Sequence, residues 1–504
     1  MDLMRKARPR ARFTLGLAAS AISLGLLLSA CGSGSGDAPA SSGGGGREGG
    51  PDALVASSPV PAPKVSGPVS GGIRGGPWGA SLDDLAPLDY VEEEYFFSGT
   101  AQGREVDGTD NGRSAEYTTR MIVRRPRSAA GFNGTVLAEW FNVTGEMEFG
   151  VLWGMTRGEI LRGGYAYVGV SAQKVGVDAS PLGLKFWDPI RYAPLKHPGD
   201  AYSYDMWSQL ARALVAGDGP APLGELKPQR IIASGESQSA ARLAEYVKTV
   251  DPEHRVYDGF LIHSWPQQID NRRVPVLMFL TETEKEGLTG PGGGTASLGN
   301  LAALAELIPA LGLLAIPSAA VPGPDHSHFR AWEVAGSSHY DQQALDYMSA
   351  AAASDVTAPL PVPPFSLKLP CLLNPINHLG QERVVRAALH ALNGWMITGK
   401  APPSMPRMQM DESGNIVRDA DGLAQGGIRV PPMAVPVGVN EGKTCIFFGS
   451  YNQYSNAKIR QLYPTEADYL NRVRQSAAEG VRGGWLLEEG AEAYVKEAEE
   501  VGAW

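Results

Sequence analysis

Short apolar runs recur along the chain from Leu88 onward, each followed by polar turn residues or by a stretch of helical composition. Residues 90–97 and 117–123 read as two early antiparallel strands. Residues 134–140, 165–170, 230–234, 259–263, 274–280 and 329–335 follow as six more. Several of these runs are apolar throughout rather than alternating, which suits strands buried on both faces of a parallel sheet. Helix formers lie between the third and fourth runs, at residues 152–162, and directly behind the fifth, at residues 240–247. Eight strands that mostly alternate with helices predict a doubly wound α/β domain. In open sheets of that kind a site forms at the carboxyl ends of the strands.

Ahead of residue 88 the pattern changes. Residues 15–28 are an apolar run behind a basic stretch that carries Arg5, Lys6, Arg8, Arg10 and Arg12. The run is too short for a comfortable membrane span and reads as an export signal. It ends Leu28-Ser29-Ala30-Cys31, which resembles the bacterial lipobox, whose cysteine becomes the lipidated N-terminus; a plain secretory signal cleaved nearby is the alternative. The expectation is a signal peptide at 1–30 and a lipid on Cys31, giving a protein anchored to the cell envelope rather than spanning a membrane. Gly32 rather than Asp after the cysteine favours the outer membrane, with the protein facing the periplasm or the surface. Residues 31–84 are rich in Gly, Ser and Pro and are expected to form a flexible tether. The folded domain is then expected over 85–504, with residues 359–504 as a helical C-terminal elaboration.

With 504 residues and 43% of them hydrophobic, the chain can build a sizeable core. Its 44 basic and 54 acidic side chains give a net charge of −10, which argues against a nucleic-acid surface. No zinc, EF-hand, P-loop or dinucleotide pattern occurs, so no cofactor is expected. Beyond Cys31 the chain has only Cys371 and Cys445. Export and an even count predict one disulfide, closing a loop of about 75 residues and worth on the order of 4 kcal/mol; two free buried thiols are the alternative.

The chemistry gathers at the strand ends. Gly235-Glu236-Ser237-Gln238-Ser239 lies between a strand and a helix, with Ser237 at the apex. A serine there can present its hydroxyl on a strained turn, the nucleophile-elbow arrangement, although Ser239 stands where the usual G-x-S-x-G has its second glycine. After the seventh run comes Thr281-Glu282-Thr283-Glu284, and after the eighth Gly336-Ser337-Ser338-His339. A serine, a carboxylate and a histidine in that order suit nucleophilic catalysis: the histidine takes the serine proton and the carboxylate fixes its tautomer. Glu284 is the preferred acid and Glu282 the alternative, the other being expected as an exposed turn residue. An oxyanion needs two backbone N–H groups. Gln238 is expected to supply one, and Asn142 or its neighbour, in the loop after the third strand, the other. His263 ends the sixth strand as a structural or substrate-contacting residue. His326 and His328 could share a face as metal ligands but lack a third, so no metal is expected. Residues 285–325 combine a Gly-rich hinge with an apolar helical stretch, read as a lid or acyl-binding wall over the site.

These residues resemble a family. Glu139-Trp140-Phe141-Asn142-Val143, Lys196-His197-Pro198-Gly199-Asp200, the Ser237 pentapeptide, Trp332-Glu333-Val334-Ala335-Gly336-Ser337-Ser338-His339 and Gly426-Gly427-Ile428-Arg429-Val430-Pro431 look like the bacterial alpha/beta hydrolase domain-containing proteins, large secreted or lipidated chains classed as esterases. The resemblance runs from about Leu88 to the C-terminus. It implies an α/β-hydrolase fold with a central, mostly parallel eight-stranded sheet, a lid-like insertion and a helical C-terminal elaboration. It also implies Ser237 as nucleophile and His339 as base. The acid in such proteins is commonly Asp in a Ser-Glu-Thr-Asp pattern; Glu284 occupies that place here. The implied activity is hydrolysis of a small-molecule or lipid-like ester, with no substrate specified. A catalytically inactive binding or scaffold lipoprotein on the same fold is the second reading.

Overall fold

The computed structural model of the chain describes residues 58–105, 107–288, 322–354, 375–444 and 447–504. A nine-stranded sheet organises them: β1 (Lys64–Ser66), β2 (Tyr90–Arg104), β3 (Asp110–Pro126), β4 (Thr135–Trp140), β5 (Ala166–Val170), β6 (Arg230–Glu236), β7 (Gly259–His263), β8 (Val276–Leu280) and β9 (Phe329–Glu333). Their spatial order is β1-β2-β3-β5-β4-β6-β7-β8-β9. The first three strands pair antiparallel, β3 pairs antiparallel with β5, and every pair from β5 to β9 is parallel. β2 and β3 form a hairpin longer than the two apolar runs suggest. On its outer part the β3 side, around Ser114, is largely exposed and the β2 side mixes buried and exposed residues, so the apolar signal fades there while the backbone ladder continues.

Parallel neighbours require crossover connections, and helices supply them. α1 (Val151–Gly163) joins β4 to β5, α2 (Ser203–Ala216) lies between β5 and β6, and α3 (Gln238–Thr249) follows β6. Beyond β9 come α4 (Gln342–Ser354) and α5 (Glu382–Thr398), then a small hairpin of β10 (Gly438–Glu441) and β11 (Ser450–Gln453), then α6 (Glu466–Gly483) and α7 (Glu488–Ala498). Residues 466–500 have helical composition throughout and would suit one continuous helix. Gly484, at φ 73°, ends α6 in the left-handed region and splits it.

Each strand feeds two cores. Val136, Ala138 and Trp140 of β4, Ile231 and Ala233 of β6, and Phe260 and Ile262 of β7 pack on one face with α2 and α3. Leu137, Ile232, Leu261 and Trp332 point the other way, onto α1 and α5. This two-faced burial is why the strands read as unbroken apolar runs. The chain runs from β4 to β5 on one side and later to β6 on the other. The strand order therefore reverses at β4, and in open sheets of this kind a site forms at such a reversal, here at the carboxyl ends of β4 and β6.

The stretch 58–84 departs from the expected tether. Lys64–Ser66 adds a ninth strand, with Val65 opposite Phe97. Trp78 is buried; its indole N–H donates to the Glu148 carbonyl at 2.8 Å, and its ring meets Trp187 edge-on at 5.3 Å. Composition averages over the stretch, whereas Val60, Val65 and Trp78 are single anchors that each find a place in the core. The signal segment with Cys31, most of the lid segment, and Cys371 and Cys445 with their expected disulfide lie outside the described residues. Among the described residues no helix is long and apolar enough to cross a membrane.

Candidate active site

The elbow stands at the end of β6. Ser237 has φ 54° and ψ −116°, a conformation that side chains rarely adopt and that costs of order 1–3 kcal/mol. Two bonds hold it: its N–H donates to the His263 carbonyl at 2.9 Å, and its own carbonyl accepts from Ala241 N–H at 2.9 Å. Strand and helix approach so closely here that a Cβ on Gly235 would stand 3.0 Å from the Ser239 backbone. Ser239, in place of the second glycine, is more than a small residue. Its Oγ donates to the Glu236 carbonyl at 2.9 Å and accepts from the Glu236 N–H at 3.0 Å, so it staples the turn shut.

His339 reaches the elbow from the loop after β9. Its Nε2 lies 2.9 Å from Ser237 Oγ and its Nδ1 2.6 Å from Glu284 Oε1. The other Glu284 oxygen accepts from the Thr281 N–H at 2.7 Å and the Thr281 hydroxyl at 2.6 Å, which fixes the carboxylate. Glu284 projects from a π-helical segment, Thr283–Leu288. The His339 N–H donates to Thr283 Oγ1 at 3.0 Å, and the Phe447 ring lies 4.9 Å from the imidazole. The C-terminal elaboration thus contributes a wall beside His339.

Glu282 is not an exposed turn residue. It is fully buried, accepts from Gly336 N–H at 2.6 Å and Gly442 N–H at 3.0 Å, and pairs with Arg418 at 2.9 Å. It ties together the His339 loop and the C-terminal elaboration, and it does not touch the imidazole. Asn142 also differs from expectation. Its backbone N–H is engaged with the Phe149 carbonyl at 3.1 Å, and its side chain donates to Glu236 Oε2 at 2.9 Å. The next N–H, that of Val143, faces Gln238 Oε1 at 3.5 Å. Gln238 opens α3, where backbone N–H groups have no intrahelical acceptor. Its amide donates to Gln173 at 2.9 Å, and Gln173 in turn is held by Asp200 at 3.1 Å. The Lys196–Asp200 motif therefore braces the loop against which Gln238 rests.

A residue that the sequence reading passed over completes the cluster. Glu236, directly before the serine, is fully buried. Its Oε2 accepts from Asn142 and from the Tyr340 hydroxyl at 3.0 Å. Its Oε1 lies 3.2 Å from His339 Nε2 and accepts no hydrogen bond among the described residues. Burial pushes the Glu236 carboxyl up to about 7, against the opposing pull of His339, Tyr340 and Asn142. Burial opposes charge on His339 too, but Glu236 and Glu284 more than offset it and raise its proton affinity above the ordinary 6.5. For Glu284, burial is outweighed by His339 and Thr281, and its pKa is lowered. His263 lies behind the site, stacked on Phe279 at 4.7 Å, and burial depresses it to about 3, so it is neutral. His326 and His328 are occupied locally: the His328 N–H donates to His326 Nδ1 at 3.2 Å.

The chain matches a family model described as an alpha/beta hydrolase domain over residues 65–496. It belongs to that family and has the α/β-hydrolase fold. A comparison with curated proteins returned no match. Among solved structures, acetyl xylan esterase 1 from Thermoanaerobacterium sp. JW/SL YS485 is 10% identical, with a TM-score of 0.26 over 55% of this chain and 86% of that one. Esterase Est22 is 14% identical, with a TM-score of 0.24 over 38% and 64%. Brefeldin A esterase, a bacterial homologue of human hormone-sensitive lipase, is 14% identical, with a TM-score of 0.21 over 37% and 43%.

Proposed function

We propose that the protein is a serine hydrolase of carboxylic esters that works through an acyl-enzyme. The observation that carries this reading is the continuous contact from Ser237 Oγ to His339 Nε2 and from Nδ1 to Glu284, set on a strained elbow. His339 takes the Ser237 proton as Oγ attacks the ester carbonyl carbon. The developing oxyanion is held by the N–H groups of Gln238 and Val143. The imidazolium returns its proton to the departing alcohol, and Glu284 holds the ring in the required tautomer throughout. Water then releases the acid. We place the enzyme in the cell envelope, held by a lipid on Cys31.

The test is hydrolysis of p-nitrophenyl esters from acetate to decanoate by the purified protein. Turnover that falls by about 10⁴-fold or more in Ser237→Ala supports the reading. Turnover that survives the substitution, or none in the parent protein, overturns it in favour of a binding or scaffold role.

A further inference from the structure

We infer that Glu236 is a further catalytic residue, the acceptor that holds the hydrolytic water beside His339 during deacylation. The inference rests on the acyl-enzyme reading above and adds to it. Deacylation poses a placement problem that acylation does not. Once Ser237 Oγ carries the acyl group, its hydroxyl proton is gone and His339 Nε2 has lost its donor. A water must take that place, donate one hydrogen to Nε2 and turn its lone pair to the acyl carbon. The second water hydrogen needs an acceptor, or the water rotates freely.

One acceptor fits. Glu236 Oε1 is buried, has no hydrogen-bond partner among the described residues and lies 3.2 Å from Nε2. A buried acceptor left unmade is costly, and such an atom in a native fold calls for an occupant. The opposite oxygen is pinned by Asn142 at 2.9 Å and Tyr340 at 3.0 Å, so the carboxylate cannot swing away. A water bridging Nε2 and Oε1 has the two polar partners that a bound water requires. In the step itself, Nε2 takes one water proton as the oxygen attacks the acyl carbon. The tetrahedral adduct then collapses, the carbon–Oγ bond breaks, and Oγ takes the proton back from Nε2. Glu236 acts in its carboxylate form and exchanges no proton.

Glu236→Gln is the informative substitution. The two donors at Oε2 oblige the amide oxygen to sit there, so the NH2 group occupies the Oε1 position and replaces an acceptor with a donor. Two rates are compared. Phosphonylation by a fluorophosphonate needs only Ser237, His339 and the oxyanion donors, whereas steady-state turnover of acetate esters also needs water. Compared at a pH where His339 is neutral in both proteins, phosphonylation in Glu236→Gln is expected to stay within about threefold of the parent rate, while kcat falls about 10- to 100-fold, the size of one lost hydrogen bond to a charged group. The acetyl-enzyme should accumulate as a full burst, and kcat should become the same for different alcohols. Tyr340→Phe, which only loosens Glu236, should shift kcat the same way by a smaller factor. Phosphonylation that falls as far as turnover, or a kcat unchanged in both variants, overturns the proposal. Should Glu236→Gln not fold, Tyr340→Phe decides: unchanged accumulation of acyl-enzyme counts against it. Loss of labelling in Ser237→Ala, measured alongside, separates a failure here from a failure of the serine-hydrolase reading.

Discussion

At His339 two carboxylates face one imidazole, Glu284 on Nδ1 and Glu236 beside Nε2, and both raise its affinity for a proton. In the proposed role of general base His339 must be neutral to act, so kcat/KM is expected to rise with pH through an apparent pKa above 6.5. Glu284→Gln removes one of the two charges and the tautomer lock. Its acid limb should move to lower pH while the plateau falls by about 10³- to 10⁴-fold, both read from one pH–rate profile. Glu236 has a separate effect on stability. Its folded-state pKa of about 7 exceeds the ordinary 4.5, so the folded state holds this proton more tightly than the unfolded chain. The contribution is complete below about pH 4.5 and is lost as pH rises through about 7. Glu236→Gln has no such charge to bury. Its melting temperature relative to the parent should therefore be higher at pH 8.5 than at pH 5, by calorimetry at both values.

The elbow and the strands that carry it show what a sequence does and does not disclose. Ser237 and His339 stood out because each follows an apolar run, and strand ends are where such a sheet places reactive groups. The acid was narrowed to two glutamates. They alternate along the chain, and only the π-helical segment decides that Glu284 faces Nδ1 while Glu282 binds Gly336, Gly442 and Arg418. Glu236 and Ser239 were legible as letters but not as partners, because their contacts run backwards across a turn that periodicity does not describe. Asn142 or its neighbour is the donor the sequence offers from this loop; the bridge to Phe149 engages the Asn142 N–H, and the neighbouring Val143 N–H faces Gln238 Oε1. Ser239→Ala leaves the Glu236 N–H and carbonyl without their shared partner and should cost about 1–3 kcal/mol in urea unfolding. Trp332, fully buried on the α1 and α5 face of β9, should cost about 3–5 kcal/mol as Trp332→Ala and draw the His339 loop out of place.

For the whole molecule, the boundary between tether and domain matters most. Composition put it at residue 85, but β1 and Trp78 belong to the folded unit. The scattered apolar residues of that stretch carry no period, so their burial was invisible until β2 offered an edge and Trp187 a partner. A chain beginning at residue 58 should fold and melt cooperatively, whereas one beginning at 85 exposes the β2 edge and should melt lower or aggregate, by scanning calorimetry and light scattering. The family motifs also act across the whole molecule. Glu282 and the bond from Ile428 N–H to the Glu333 carbonyl at 2.7 Å join the C-terminal elaboration to the loops that hold Glu284 and His339. The most direct test of Ser237 as the nucleophile is a fluorophosphonate adduct mapped by peptide mass spectrometry. The adduct is expected on the peptide carrying Ser237, absent in Ser237→Ala and strongly slowed in His339→Ala. An adduct on any other residue, or one formed as fast without His339, contradicts that role.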